Sequence, residues 1–227
     1  TLRERRLLPG LMRLGADEAG KGPAVGPMVA GAVRAPPQDL PDGLDDSKKL
    51  AAPRREELAA ELRERPSVAV ATAAVSPHRI DAPETDMNSL GVEAQAEAVA
   101  AVAEAGDDVI ADAADTDEAR FGRRLRDAVA ERGTELTVTA EHGADGTHPI
   151  VSAASVVAKV ERDRRMAAID AEYDRDVGSG YPSDPTTRAF LAEYVEEYGQ
   201  LPACARTTWA TCEDALAAAE QSGLSDF

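Results

Sequence analysis

The chain has 227 residues, 42 of them Asp or Glu against 25 Lys or Arg, with 43% hydrophobic but only 4% aromatic residues and a net charge of −17. That length suits one large domain or one with a small appendage, and the apolar fraction excludes wholesale disorder. No apolar run reaches the ~18 residues of a membrane span, no signal segment opens the chain, and two cysteines, Cys204 and Cys212, make no disulfide framework, so a cytoplasmic protein with reduced thiols is expected.

Residues 1–11 are basic and lack a turn signal, and they read as an extension outside the fold. From Gly15 to Arg34, small apolar residues alternate with glycines, which predicts two strands joined by the loop Gly20-Lys21-Gly22-Pro23. A Pro/Asp/Gly-rich loop covers 35–47, and Pro53 opens a helix with one apolar face. Val68–Val75 reads as a strand, Asn88–Ala105 as an Ala-rich helix ending at Gly106, and Asp107–Asp112 as a short buried strand. A helix over 117–132 and a strand over Leu136–Ala140 follow, then a long helix capped by Ser152 and reaching about Ala171. Gly178-Ser179-Gly180-Tyr181-Pro182 breaks the chain, and helices are expected over Pro185–Tyr198 and Cys212–Ala219. Strands alternating with helices around one sheet predict an α/β core. Seven of the eight aromatic residues lie after residue 170, which predicts a C-terminal helical lobe with its own small core.

Three strand ends offer carboxylates. Asp17-Glu18 precedes the glycine loop; neighbours in a regular strand face opposite ways, so a shared site there requires the pleat to break, and Gly20-Lys21-Gly22 supplies such a break. Asp112 ends the apolar strand Val109-Ile110-Ala111, at the carboxyl edge where α/β sheets gather ligands. Asp115 and Asp117 follow in a turn, and Asp145 lies just beyond another strand in Glu141-His142-Gly143-Ala144-Asp145. Hard oxygen donors suit Mg²⁺ or Mn²⁺, while His142 and His148 are too few and too irregularly spaced for zinc. In the long helix Ser155, Lys159 and Asp163 recur at i, i+4, i+8, a pattern that fits either a phosphate held near a helix N-terminus or an amphipathic face with an ion pair. No G-x-x-x-x-G-K-[ST] loop, G-x-S-x-G elbow or Cys/His pair is present.

The negative charge argues against a polyanionic partner. The basic set is unusual, however: 21 Arg and only four Lys, at Lys21, Lys48, Lys49 and Lys159. Many acids with few lysines suit a protein kept soluble in a high-salt cytosol, where a Debye length of ~3 Å at 1 M screens self-repulsion.

Gly15-Ala-Asp-Glu-Ala-Gly-Lys-Gly-Pro23, Asp46-Ser-Lys-Lys-Leu50, Glu141-His-Gly-Ala-Asp145, Ser152-Ala-Ala-Ser-Val-Val-Ala-Lys-Val-Glu-Arg-Asp163 and Gly178-Ser-Gly-Tyr-Pro-Ser-Asp184 together resemble archaeal ribonuclease HII, the type 2 ribonuclease H family, in the family's block order. All four lysines fall inside these blocks. The resemblance implies an RNase H-like α/β fold: a mixed five-stranded sheet flanked by helices, with a catalytic domain over 12–172 and a C-terminal helical substrate-binding region over 173–227. It implies a monomeric endoribonuclease that cuts RNA–DNA hybrids and ribonucleotides embedded in duplex DNA on their 5′ side, leaving 3′-hydroxyl and 5′-phosphate ends, with Mg²⁺ or Mn²⁺ as cofactor.

Carried over by position, the resemblance makes Asp17, Glu18, Asp112 and Asp145 the catalytic, metal-holding carboxylates. Asp107, Asp108 and Asp115 lie near Asp112, which the preceding apolar strand favours. Gly20, Lys21 and Gly22 correspond to the loop that contacts the ribonucleotide, with Lys21 where many members carry Arg. Tyr181 matches the tyrosine that stacks at the junction, and Ser47, Lys48, Ser155 and Lys159 are further implied substrate contacts. The C-terminal Gly223-Leu-Ser-Asp-Phe227 reads either as a docking tail, with a sliding clamp as the partner, or as a frayed end. A Mg²⁺-dependent phosphohydrolase or resolvase with another substrate, and a non-catalytic nucleic-acid binder of the same fold, are the competing classes.

Overall fold

The structure, a computed structural model, describes residues 12–44 and 50–224. Residues 1–11, Ser47 and Lys48, and the end of the C-terminal tail lie outside the described residues. Five strands form one mixed sheet: β1 Arg13–Ala19, β2 Met28–Ala35, β3 Ala69–Val75, β4 Asp108–Asp112 and β5 Thr137–Glu141, in the order β3-β2-β1-β4-β5. β1 runs antiparallel to β2 and parallel to β4, and β4 runs parallel to β5. Helices are α1 Ala52–Glu64, α2 Pro77–Ile80, α3 Met87–Ala100, α4 Glu118–Ala130, α5 Pro149–Asp170, α6 Pro185–Tyr198 and α7 Ala210–Leu224. None of the described helices is long and apolar enough to cross a membrane.

The chain divides into two compact units. Among the described residues, one comprises 12–19, 29–44, 50–74 and 88–161; the other comprises 20–28, 75–87 and 162–224. In the first, α1 and the first half of α5 cover one face of the sheet. Val33, Ala35, Leu58, Leu62, Val151 and Val157 are among the buried residues there. Two glycines let α5 lie against the strands: a Cβ on Gly15 would sit 2.3 Å from the Ile150 carbonyl oxygen, and one on Gly31 2.5 Å from that of Ala154. α3 and α4 cover the opposite face. In α4 the buried residues Phe121, Gly122, Leu125 and Val129 repeat at helical spacing, and Asp117 caps its N-terminus by accepting from the Arg120 amide at 2.8 Å.

Three expected helices change their limits: α7 runs Ala210–Leu224 where the sequence pattern gives Cys212–Ala219, and α5 and α3 shift at one end each. α5 begins at Pro149, so Ser152 is not its cap; it is buried one turn in, and its hydroxyl donates to the Leu44 carbonyl. α3 stops at Ala100 rather than Ala105, because the chain must turn to enter β4; Asp107 accepts from the Glu104 amide at 2.8 Å and from Arg34 Nε at 2.7 Å. Helix-forming alanines lose to those tertiary contacts.

The second unit has its own core of Val25, Met166, Val177, Phe190, Leu191, Ala205 and Cys212, rimmed by Tyr173 and Tyr194. Tyr173 and Phe190 meet edge to face, with ring centroids 5.1 Å apart. Cys204 and Cys212 are buried free thiols, and burial raises the pKa of each.

Candidate active site

Register sets the carboxylates. β1 pairs regularly with β2 through Ala19, with Asp17 opposite Gly31 and Glu18 opposite Ala30, so the pleat runs unbroken through Asp17-Glu18 and the strand ends only at the glycine loop. Asp17 therefore shares the α5 face with Gly15, while Glu18 turns to the α3 face. Along the parallel pair, Gly15 lies beside Ile110 and Ala16 beside Ala111, which brings Asp17 and Asp112 to the same carboxyl edge of the sheet. Asp112 is in turn in register with Glu141 on β5.

Each acid is fixed by a specific neighbour. The Asp17 carboxylate accepts from the Glu18 amide at 2.7 Å. The Ala144 amide, in the 3₁₀ turn Ala144–Gly146 that carries Asp145, donates to Asp112 Oδ1 at 2.8 Å. This ties the β5 turn to the end of β4. Asp145 itself is buried, at 3% exposed. The acids near Asp112 are engaged elsewhere: Asp107 with Arg34, Asp108 with the Thr137 hydroxyl, and Asp115 with Arg120 in two contacts, the longer at 2.9 Å. The Arg120 hydrogen bond holds Asp115 well below the usual carboxylate pKa.

Asp17 behaves in the opposite way. Burial and then the Glu18 charge raise its pKa well above the ordinary value; the Ser155 hydroxyl lowers it, Asp112 raises it, and the Glu18 amide lowers it. Only 4% of Asp17 is exposed. A buried carboxyl crowded by two like charges gains most from a hard divalent cation, so the donor set fits Mg²⁺ or Mn²⁺ in charge and chemistry. Among the described residues no three His, Cys, Asp or Glu side chains already enclose an ion, so the fit lies in the donors and not in a preformed shell.

Three residues escaped the sequence reading or changed role. Gln95 of α3 is fully buried, and its Nε2 donates to Glu18 Oε2 at 2.6 Å and to the Asp112 carbonyl at 3.1 Å. Its signal is a lone amide on the buried stripe Gly91, Gln95, Val99, where a polar group demands a partner. His148 Nε2 lies 2.8 Å from Glu141 Oε2, one more tie at the β5 edge. Ser155, read as a contact near a helix N-terminus, is instead 1% exposed inside α5 and faces Asp17; Lys159, one turn on, is half-buried.

In the second unit, Gly20 takes φ +84, and a Cβ there would fall 2.4 Å from Arg162 Nε. Gly22 is exposed and Lys21 half-buried. Tyr181 is 41% exposed, and the Arg162 guanidinium lies 5.2 Å from its ring centroid. The turn bearing Tyr181 is anchored by Asp184, which accepts from the Ser179 amide and hydroxyl, both at 2.7 Å.

A family model described as Ribonuclease HII matches residues 14–212. The chain is 61% identical over 216 residues to the Ribonuclease HII of Haloarcula marismortui, covering 95% of this chain and 100% of that protein. Among solved structures it is similar to the ribonuclease H2 from Pyrococcus horikoshii, at 35% identity and a TM-score of 0.83, over 93% of this chain and 100% of the other. A chain of the PCNA:RNase HII complex from Archaeoglobus fulgidus is 36% identical with a TM-score of 0.77, over 89% of this chain and 96% of that one.

Proposed function

Because this chain belongs to the ribonuclease HII family, a family of metal-dependent endoribonucleases acting on RNA–DNA hybrids, we propose that it also cuts at single ribonucleotides embedded in duplex DNA. Cleavage falls on the 5′ side of the ribonucleotide and leaves 3′-hydroxyl and 5′-phosphate ends. The observation that carries the reading is the buried Asp17, pushed toward its protonated form beside Glu18 and Asp112 at the carboxyl edge of the sheet.

Asp17, Glu18, Asp112 and Asp145 are the residues that would hold two divalent ions, Mg²⁺ or Mn²⁺. When bound, these ions supply the activation of a water and the neutralisation of the leaving 3′-oxygen. The chain supplies the rest. Gln95 holds the Glu18 carboxylate, the Ala144 amide orients Asp112, and Ser155 faces Asp17, so the negative groups are aimed before substrate arrives. The Gly20-Lys21-Gly22 backbone comes close enough to a sugar to read its 2′-hydroxyl, and the Lys21 ammonium pairs with an adjacent phosphate. The exposed Tyr181 ring stacks on the nucleotide across the junction, worth ~1–3 kcal/mol. Ser47, Lys48 and Lys159 belong to the same proposal as phosphate contacts.

The protein acts in this reading as a cytoplasmic monomer. The Archaeoglobus structure pairs an RNase HII with PCNA, and a sliding clamp is the protein partner proposed for this chain.

The test is cleavage of an end-labelled duplex with one ribonucleotide, with Mg²⁺ or Mn²⁺, across a salt series. Wild type cuts once, 5′ of the ribonucleotide, and the metal-free enzyme does not. Asp112→Asn abolishes cutting while leaving duplex binding within about threefold, since the amide keeps the shape and loses the charge. Near-normal turnover by Asp112→Asn moves the third carboxylate to another acid; an uncut duplex with wild type defeats the reading.

A further inference from the structure

Among the described residues, two buried arginines in the unit that holds residues 20–28 form no ion pair with a carboxylate. Arg206 is fully buried, yet among the described residues it forms no ion pair. Each of its three guanidinium nitrogens donates to backbone instead: Nη2 to the Gly20 carbonyl at 2.6 Å, Nη1 to that of Lys21 at 2.9 Å, and Nε to that of Gly26 at 3.0 Å. Trp209, whose ring lies 5.2 Å from the Arg206 guanidinium, donates its Nε1 to the Gly22 carbonyl at 3.3 Å. The second cation, Arg162, is 6% exposed, sits directly against Gly20, and leaves its buried Nε without a hydrogen-bond partner.

Burying a guanidinium without a carboxylate in direct contact is costly, and desolvation together with Arg162 pulls the Arg206 pKa down to about 10 against the more distant Asp81. Stability alone would favour a neutral residue. What the arrangement achieves is directional. Three successive carbonyls, those of Gly20, Lys21 and Gly22, are all held from the 206–209 segment. In a planar trans peptide the N–H points away from the C=O, so the Lys21 and Gly22 amides are turned to the opposite side; Pro23 has none. Two successive amides aimed alike, backed by buried positive charge, make a small concavity suited to oxygen acceptors. Gly22 is exposed, with nothing within 4 Å of where a Cβ would stand.

The geometry points to Arg206 and Trp209 as positioning residues that hold the Gly20–Gly22 backbone with its Lys21 and Gly22 amides turned toward the oxygen acceptors of a bound ribonucleotide. The assignment rests on the proposed role of that loop as the ribonucleotide contact. Neither residue touches the substrate; both act through three carbonyls.

Steady-state cleavage of the single-ribonucleotide duplex with Mn²⁺ in molar salt tests it on Trp209→Phe and Arg206→Lys. Trp209→Phe keeps a ring over the guanidinium and loses one hydrogen bond, so KM rises about fivefold while kcat and the Mn²⁺ activation midpoint stay within about twofold. Its melting temperature stays within about 2 °C of wild type. Arg206→Lys, which reaches fewer carbonyls, raises KM about tenfold or more. A residue that only stabilised the fold would lower the active fraction, and hence kcat, without moving KM. Should Arg206→Lys not fold, Trp209→Phe decides alone, and an unchanged KM in the folded variant overturns the assignment. If wild type leaves the duplex uncut, the activity reading fails separately. The loop is then judged by hydrogen exchange at Lys21 and Gly22: Trp209→Phe accelerates it about fivefold or more if Trp209 holds the loop, and unchanged exchange overturns the assignment.

Discussion

At Gly22 the backbone φ is not in the left-handed region, and a side chain would meet nothing within 4 Å, so the fold does not itself require glycine there. Gly20 is the reverse: φ is +84, and a Cβ would collide with Arg162 and the Pro27 carbonyl. The two positions therefore separate folding from contact. Gly20→Ala is expected to lower the melting temperature by several degrees. Gly22→Ala is expected to leave it unchanged and to cut the rate on a single-ribonucleotide duplex about tenfold, because its methyl stands where the sugar approaches. Full activity of a folded Gly22→Ala variant would mean that no substrate passes over that face. The same scale shows what could be read in the chain beforehand. Asp17 and Glu18 stood out as adjacent acids before a glycine loop, but their presentation to opposite faces of an unbroken strand is a property of the β1–β2 register. Gln95 was hidden because an amide among alanines satisfies a helix pattern as well as any polar surface residue does; only its burial against Glu18 reveals it.

Between residues 178 and 198 one carboxylate joins two structures. Asp184 caps α6 through the Thr186 amide at 3.0 Å and holds the Gly178–Tyr181 turn through Ser179. The Ser179 hydroxyl and amide, then the Thr186 amide, pull its pKa from 3.8 down to about 2. A carboxylate whose folded pKa is depressed stabilises the protein above its unfolded value and loses that contribution as the pH falls through the folded one. Asp184→Ala is accordingly expected to melt a few degrees below wild type at neutral pH, with the gap closing as the pH drops from about 4 toward 2. A gap that persists at the low end would assign the effect to packing instead of to the charge. Strong local signals placed α6 well: an Asp-Pro start, apolar spacing and a Gly199 stop at φ 67. Ser152 misled for a physical reason. A serine followed by an apolar run has the look of a cap, yet its hydroxyl is recruited by the Leu44 carbonyl, 108 residues away in sequence.

Long-range contacts organise the molecule into its two units, and those are what the sequence conceals. The late aromatics point to a second core, but nothing local indicates that residues 20–28 and 75–87 join it. They do so through the Ala24 amide on the Gly180 carbonyl at 2.8 Å, the Gly26 amide on that of Cys204 at 2.8 Å, and Asp81 on the backbone and hydroxyls of Thr207 and Thr208.

Charge acts on the molecule as a whole. The net −17 is spread over a surface whose ion pairs, such as Arg54–Glu57 at 2.9 Å and Arg79–Glu84 at 3.2 Å, are exposed and contribute little. At ~0.1 M salt the Debye length is about 10 Å, so neighbouring carboxylates repel across the surface; at 1 M it is about 3 Å and that repulsion is nearly gone. Screening acts on substrate binding as well, since it removes both the long-range repulsion of phosphate by the net −17 and the attraction of any local cationic patch. Contacts made within a few ångströms must then do the holding, which is the setting for the role proposed for Lys21 and for the loop braced by the buried Arg206. The melting temperature is therefore expected to climb by several degrees or more between about 0.1 and 2 M KCl, while KM for the duplex rises less steeply than for a protein that relies on many surface lysines. Circular dichroism melts and salt-dependent kinetics on the same samples read both quantities. A melting temperature that stays flat across the series would remove the acidic surface as an adaptation, and a steep fall in affinity over the same range would show that diffuse attraction, not the short-range contacts, binds the duplex.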